Sequence, residues 1–246
     1  MTATTEDVRT PLLDTLARTR RTRSKVEELI SDPARLAVTF RRIVSAEDHT
    51  EVLGWHAQPG GGPTDLASLL AEAGRLGLAE RLDWALRCHT FDLAVAADLP
   101  GELHLSPDPS TFGTACPPRL AVPFLQGRRS LAVVAELTPA AFIDQRRTSA
   151  AIGQMREWGW QFAYPDLAGD PAQSSAQQLL ATIRPAYVRL DVSRDTHSEL
   201  PAAAVEVGAA VIATGVRTEA DLARAQRAGA RWLCGDLVGR DTALPR

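Results

Sequence analysis

The chain is poor in the residues on which several functional classes depend. Lys25 is its only lysine, so arginine carries almost all of the positive charge, and 27 Lys+Arg against 30 Asp+Glu leave a formal charge of -3. A balance of that sign gives no global field toward nucleic acid or an anionic membrane, so neither partner is expected. The three cysteines, Cys88, Cys116 and Cys234, form no CxxC pair and have no histidine at zinc-finger spacing. That excludes a disulfide framework and fits free thiols in a reducing cytosol. No uncharged apolar run approaches the roughly 18 residues of a membrane span. The first ten residues are polar and slightly acidic, unlike a signal peptide, and a cytoplasmic location is expected. The glycine-rich stretch Pro59-Gly60-Gly61-Gly62-Pro63 lacks the Lys-Ser/Thr that a phosphate-cradling loop needs, and reads as a plain loop.

What is abundant is apolar surface: 45% of 246 residues are hydrophobic, enough for one α/β barrel or for two small domains. The preferred division is an N-terminal helical extension, residues 1–30, followed by a barrel domain, residues 31–246. The extension reads as a helix from Pro11 to Ile30, with Pro11 in its first turn and Asp32-Pro33 ending it. Its basic run from Arg18 to Lys25 is expected to be a solvated face, and its apolar positions call for a surface on the barrel, a second copy or an upstream partner.

From Leu36 onward, short apolar runs alternate with longer amphipathic stretches, the pattern of βα units around a parallel sheet. Strands are expected at Leu36–Val44, Val52–Ala57, Glu102–Ser106, Leu131–Leu137, Gln161–Tyr164, Tyr187–Asp191, Ala210–Ala213 and Trp232–Cys234. Helices are expected at Leu66–Leu76, Ala79–Ala97, Pro139–Trp158, Ser174–Ile183, Ser198–Val207 and Thr218–Ala228. Eight strands is the number of a (β/α)8 barrel. The turn Ser45–Thr50 is too short for a crossover helix, so the first strand must run antiparallel to the second. The five tryptophans fall in or beside these elements and are expected to pack rather than to stack on bases.

Several strings, in order along this pattern, resemble motifs of the EAL family of cyclic di-GMP phosphodiesterases. Arg41-Arg42-Ile43-Val44 stands for Gln-Pro-Ile-Val, Gly54-Trp55-His56-Ala57-Gln58 for Gly-x-Glu-Ala-Leu, and His104-Leu105-Ser106-Pro107 for Asn-Leu-Ser-Pro. Glu136-Leu137-Thr138 begins a Glu-x-Thr-Glu motif, with Pro139 in place of its second glutamate. Pro165-Asp166 lies at the paired aspartates, and Arg189-Leu190-Asp191 at Lys-x-Asp. Val211 to Thr218 is close to Val-Ile-Ala-Glu-Gly-Val-Glu-Thr, and Cys234-Gly235 replaces Gln-Gly. The match runs from about Val26 to Pro245 and implies an EAL-type (β/α)8 TIM-like barrel.

By that resemblance, family members hydrolyse cyclic di-GMP with two divalent metals held by oxygen ligands at the strand ends. Here His56, His104, Pro165 and Thr214 occupy four ligand positions, and proline offers no side-chain donor. Arg189 replaces the lysine that orients water, and the phosphate-binding arginine is replaced by Gly60. The expected pseudo-active site is His56, His104, Glu136, Asp166, Arg189 and Asp191, without catalysis and without a cofactor. The preferred function is a catalytically inactive signalling module that binds protein partners, with a homodimer among its forms, and cyclic di-GMP binding is not expected. Two alternatives stand beside it: a non-hydrolysing nucleotide sensor using Arg189, or a metal-dependent hydrolase whose variant site is His56, His104 and Glu136.

Overall fold

The computed structural model describes residues 5–60, 66–137, 141, 144–164, 180–181, 183–194 and 200–244. Eight strands close into a barrel in sequence order: β1 Val38–Ser45, β2 Val52–Pro59, β3 Glu102–Leu105, β4 Ala132–Glu136, β5 Gln161–Tyr164, β6 Tyr187–Asp191, β7 Ala210–Thr214 and β8 Trp232–Cys234. Strands β2 to β8 are parallel to one another. The first strand is antiparallel to both of its neighbours, as the short hairpin requires. The fold is therefore the expected α/β barrel with an inverted first strand.

Seven helices are described: α1 Thr5–Ser31, α2 Leu66–Arg75, α3 Ala79–Ala96, α4 Ala121–Ser130, α5 Gln145–Glu157, α6 Leu200–Val207 and α7 Glu219–Arg227. Helix α1 starts at Thr5 rather than at Pro11, so the proline lies in the second turn; one missing N–H does not end a helix when its neighbours keep their bonds. Its Val26 and Ile30 are fully buried where α1 packs on α2 and α3, so its C-terminal half belongs to the body of the molecule. Helix α4 is absent from the sequence-based expectation. Pro117, Pro118, Pro123 and Gly127 mask its apolar pattern, although Phe124 and Gly127 are buried in it. Helix α7 opens on a capping box, in which Thr218 Oγ1 accepts from the Asp221 amide at 3.2 Å and Asp221 returns the bond to the Thr218 amide at 2.8 Å. The helix expected over Ser174–Ile183 lies largely outside the described residues, as do Pro139 and Pro165-Asp166.

Two apolar layers hold the barrel. Inside it, Ile43, Val134, Ala163, Tyr187, Ile212 and Trp232 form a compact cluster with Cys234. Outside, the opposite strand faces pack against the helices, and Trp84, Phe124, Trp158, Trp160 and Phe91 stack edge to face with centroids 5.2–5.9 Å apart along the α3–α4 side. Strands apolar on both faces are what a barrel sheathed by helices demands. At Gly54 the two chains approach so closely that a Cβ would lie 2.2 Å from the Glu102 carbonyl oxygen, and only glycine fits there. The seam between β1 and β8 is narrow: Val44 pairs with Leu233 and Ser45 with Trp232, followed by an isolated bridge from Phe40 to Thr242. Arg41 stitches it from the barrel mouth, reaching Asp236 at 3.0 Å and Asp241 at 2.5 Å. Among the described residues, no helix is long and apolar enough to cross a membrane.

Candidate functional site

Strand alternation aims His56 of β2, His104 of β3, Glu136 of β4 and Arg189 of β6 into the barrel, because each shares a face with inward neighbours two positions away. Glu136 is the hub at the C-terminal end of β4. Its Oε1 accepts from Arg189 Nη1 and lies 3.2 Å from His56 Nε2, while its Oε2 accepts from Ser106 Oγ at 2.7 Å. All three larger side chains are buried: His56 is 8% exposed, Glu136 7% and Arg189 8%. Burial alone would raise the carboxyl pKa of Glu136, but the Arg189 guanidinium beside it, with His56 and Ser106, holds it well below the usual range.

His56 is held neutral. Burial and the Arg189 charge push its pKa down, and these outweigh the upward pull of Glu136. The tautomer follows from its partners: Gln58 Nε2 lies 2.8 Å from Nδ1, and Arg189 Nη2 lies 3.4 Å from the same atom. Two donors at Nδ1 make that nitrogen the acceptor, so the ring proton is on Nε2 and is donated to Glu136.

His104 does not join this group. It sits one layer deeper, fully buried, with Nε2 3.1 Å from Glu102 Oε2 and its ring 5.3 Å from that of Tyr187. Tyr187 donates to the other oxygen of Glu102 at 3.0 Å, and burial followed by the Glu102 charge raises the tyrosine pKa. The triad of His56, His104 and Glu136 is thus not assembled, and among the described residues no three His, Cys, Asp or Glu side chains are grouped to hold a metal. The reason lies in the register. His104 pairs with His56 across β2 and β3, but with Val134 rather than Glu136 across β3 and β4, so its height matches the apolar layer below the hub.

Asp191, at the end of β6, is turned onto its own loop, where Oδ1 accepts from the Ser193 amide at 3.0 Å and the Ser193 hydroxyl at 2.6 Å. Asp166 lies outside the described residues. Gln58, Ser106, Glu102 and Tyr187 were missed by sequence reasoning. Gln58 and Ser106 each follow an inward histidine by two residues, and that period-2 signal was there to be read.

The two-metal chemistry implied by the fold family does not suit these side chains. A divalent cation needs free oxygen lone pairs, whereas Glu136 has both oxygens engaged and a fixed cation against one of them.

Beside the hub a cavity of about 390 Å³ opens between the ends of β2 and β3 and helices α2 and α3, lined by His56, Gln58, Leu70, Asp83, Arg87 and Ser106 among others. Its outer wall carries a buried ion pair. Arg87 Nη2 donates to Asp83 Oδ2 and, at 2.5 Å, to Thr111 Oγ1, while Asp83 Oδ1 accepts from the Asp108 amide at 3.0 Å.

The electrostatics of the hub give stability a definite pH dependence. Both His56 and Glu136 have folded pKa values below their ordinary values of 6.5 and 4.5, so the folded state binds fewer protons than the unfolded chain. Their contribution is complete above those values and is lost as pH falls through the depressed ones. Thermal melts from pH 8 to 4 should show the midpoint beginning to fall below about pH 6.5, and His56→Gln should remove that upper part of the decline. A midpoint equally flat to pH 5 in both proteins would contradict a neutral His56.

No family model matches the chain, and no curated protein matches it by sequence. Solved structures do match. The Klebsiella pneumoniae BlrP1 complex with calcium and cyclic di-GMP is 21% identical over 85% of this chain and 56% of that one, with a TM-score of 0.68. The Xanthomonas citri FimX EAL domain bound to cyclic di-GMP is 14% identical over 94% and 97%, with a TM-score of 0.75. The Bacillus subtilis YkuI protein, which has an EAL domain and is complexed with its substrate cyclic di-GMP and calcium, is 16% identical over 90% and 58%, with a TM-score of 0.71. The chain spans little more than half the length of BlrP1 and YkuI. The fold is that of the EAL barrel. These neighbours also correct one expectation: all three are cyclic di-GMP complexes, so the fold itself gives no ground for ruling that dinucleotide out.

Proposed function

We propose that this chain is a catalytically inactive, regulatory domain on the EAL barrel, one that binds a phosphodiester second messenger of the cyclic di-GMP kind without hydrolysing it. The observation that carries this reading is the closure of Glu136 by Arg189, His56 and Ser106. Hydrolysis through two metals needs carboxylates whose charge is available to the ions. Here that charge is spent inside the protein on a guanidinium that cannot lose its proton. The resemblance in sequence adds that His56, His104, Pro165 and Thr214 stand where the family uses oxygen donors. Binding draws its support from the cavity beside the hub and from the dinucleotide complexes of the fold neighbours.

A second reading, signalling through protein docking alone, is favoured by one observation: Asp83, Arg87 and the Asp108 amide on the cavity wall already satisfy one another.

The test is incubation of the full chain with cyclic di-GMP and Mn2+ or Mg2+, with chromatographic detection of the linear dinucleotide, beside calorimetric titration with and without metal. Saturable heat without linear product supports binding without turnover, and absence of both leaves the docking reading. Linear product that disappears in Glu136→Gln would overturn inactivity.

A further inference from the structure

The charged and polar side chains on the wall of the cavity are already engaged with one another, and that decides what the cavity can hold. His56 is neutral and spends its ring nitrogens on Gln58, Arg189 and Glu136. Ser106 donates to Glu136, and Thr90 donates to the Leu86 carbonyl at 2.9 Å. Arg87 is tied to Asp83 and Thr111, and Asp108, half-buried, accepts from the Ser110 amide at 2.8 Å. Asp83 and Asp108 against Arg87 leave the wall one carboxylate in excess. One donor is left over. Arg87 is 5% exposed, with its guanidinium 4.5 Å from the centre of the Trp84 ring, and its Nε is buried without a hydrogen-bond partner among the described residues. The rest of the wall is apolar, built from Ala57, Leu70, Leu86, Leu105, Pro107 and Pro109.

We propose that this cavity binds an uncharged, mostly apolar small molecule carrying a hydrogen-bond acceptor, which the Arg87 Nε–H meets. A cavity of about 150 Å³ holds a benzene ring, so one of about 390 Å³ takes a molecule of on the order of 15 non-hydrogen atoms. A buried N–H without an acceptor is unfavourable, and a ligand carbonyl or ring nitrogen relieves it. An anion is refused, because Asp83 already neutralises Arg87 and Asp108 adds a negative charge. A cation gains little from Asp108, where water competes for a half-exposed carboxylate. The phosphates of a cyclic dinucleotide therefore stay outside this cavity, so the inference goes beyond the messenger reading and does not depend on it. His56 and Ser106 belong both to the wall and to the clasp around Glu136, so an occupant bears directly on the hub.

The probe is 6-propionyl-2-dimethylaminonaphthalene, a neutral, flat ketone whose emission moves to the blue on leaving water, titrated against the full chain. The expected result is a saturable blue shift at one probe per chain, with a melting midpoint that rises with probe concentration. The 6-propyl analogue, which lacks the ketone, should bind about tenfold more weakly by midpoint shift, and 6-dimethylamino-2-naphthoate at least as weakly. Leu70→Trp, at a half-buried position on α2, and Leu86→Trp, on α3, each fill the cavity and should abolish the signal while the chain still melts cooperatively. Val122→Ser removes an exposed apolar side chain on α4 and should leave the signal unchanged. No saturable signal, or one that survives both tryptophan variants or vanishes in Val122→Ser, would overturn the cavity as the site. A carboxylate that binds as well as the ketone would overturn its preference for uncharged ligands, and an equally tight 6-propyl analogue would overturn the part given to Arg87. Heat from cyclic di-GMP is read in a separate titration, so either reading fails without the other.

Discussion

Arg189→Met lowers folding stability by about 3–5 kcal/mol at neutral pH, because it strands Glu136 as a buried carboxylate without its cation. The double variant Arg189→Met, Glu136→Leu recovers most of that loss. A buried ion pair costs desolvation on both sides, so replacing both members by apolar groups of similar size approaches neutrality. The measurement is urea unfolding of the wild type, both single variants and the double variant, read as a double-mutant cycle. Additive losses, or a single-variant loss below about 1 kcal/mol, would mean that the guanidinium is not the counterion of Glu136. Arg189→Lys should fall in between, since it keeps the charge but loses the fork that reaches both Glu136 and His56.

The second large effect belongs to the cavity wall. Asp83→Leu should cost an amount of the same order, about 3–5 kcal/mol, because Arg87 is buried and would lose its carboxylate, keeping the Thr111 hydroxyl and the face of the Trp84 ring. It should also loosen the turn after β3, whose Asp108 amide loses its acceptor. Hydrogen exchange separates the two consequences. Amides 108–114 should lose protection in Asp83→Leu beyond the global change, whereas in Arg189→Met they should lose no more than the rest of the chain. Uniform loss in Asp83→Leu would show that the aspartate does not anchor the turn.

The fold was legible because period and punctuation agree. Tyr187–Asp191, Gln161–Tyr164 and Trp232–Cys234 appear as strands with the bounds that their apolar runs imply, and the short Ser45–Thr50 connection dictates the inverted first strand. Helix α4 was hidden, since three prolines and a glycine read as breakers while its stability comes from burying Phe124 against Trp84 and Trp158. For the site, sequence order placed His56, Glu136 and Arg189 at strand ends, and the barrel brings these three together. It could not give relative height: His104 sits at the level of Val134, a matter of stagger between strands that no single strand records. Nor could it show that Asp83 and Arg87 would be buried together. An i,i+4 charge pair on a helix ordinarily faces water, and only the turn at Asp108–Thr111 covers this one.

The narrow closure between the first and eighth strands has a consequence for the chain while it is being made. Synthesis is vectorial, so β1 leaves the ribosome long before its partner on the far side exists. Until Trp232–Cys234 is translated, Val44 and Ser45 at one rim and Ile212 to Thr214 at the other keep unpaired amides and carbonyls. A nascent polypeptide of this kind carries two bare rims, each able to recruit a stranger's strand, and it becomes safe from such pairing only when the eighth strand seals the ring.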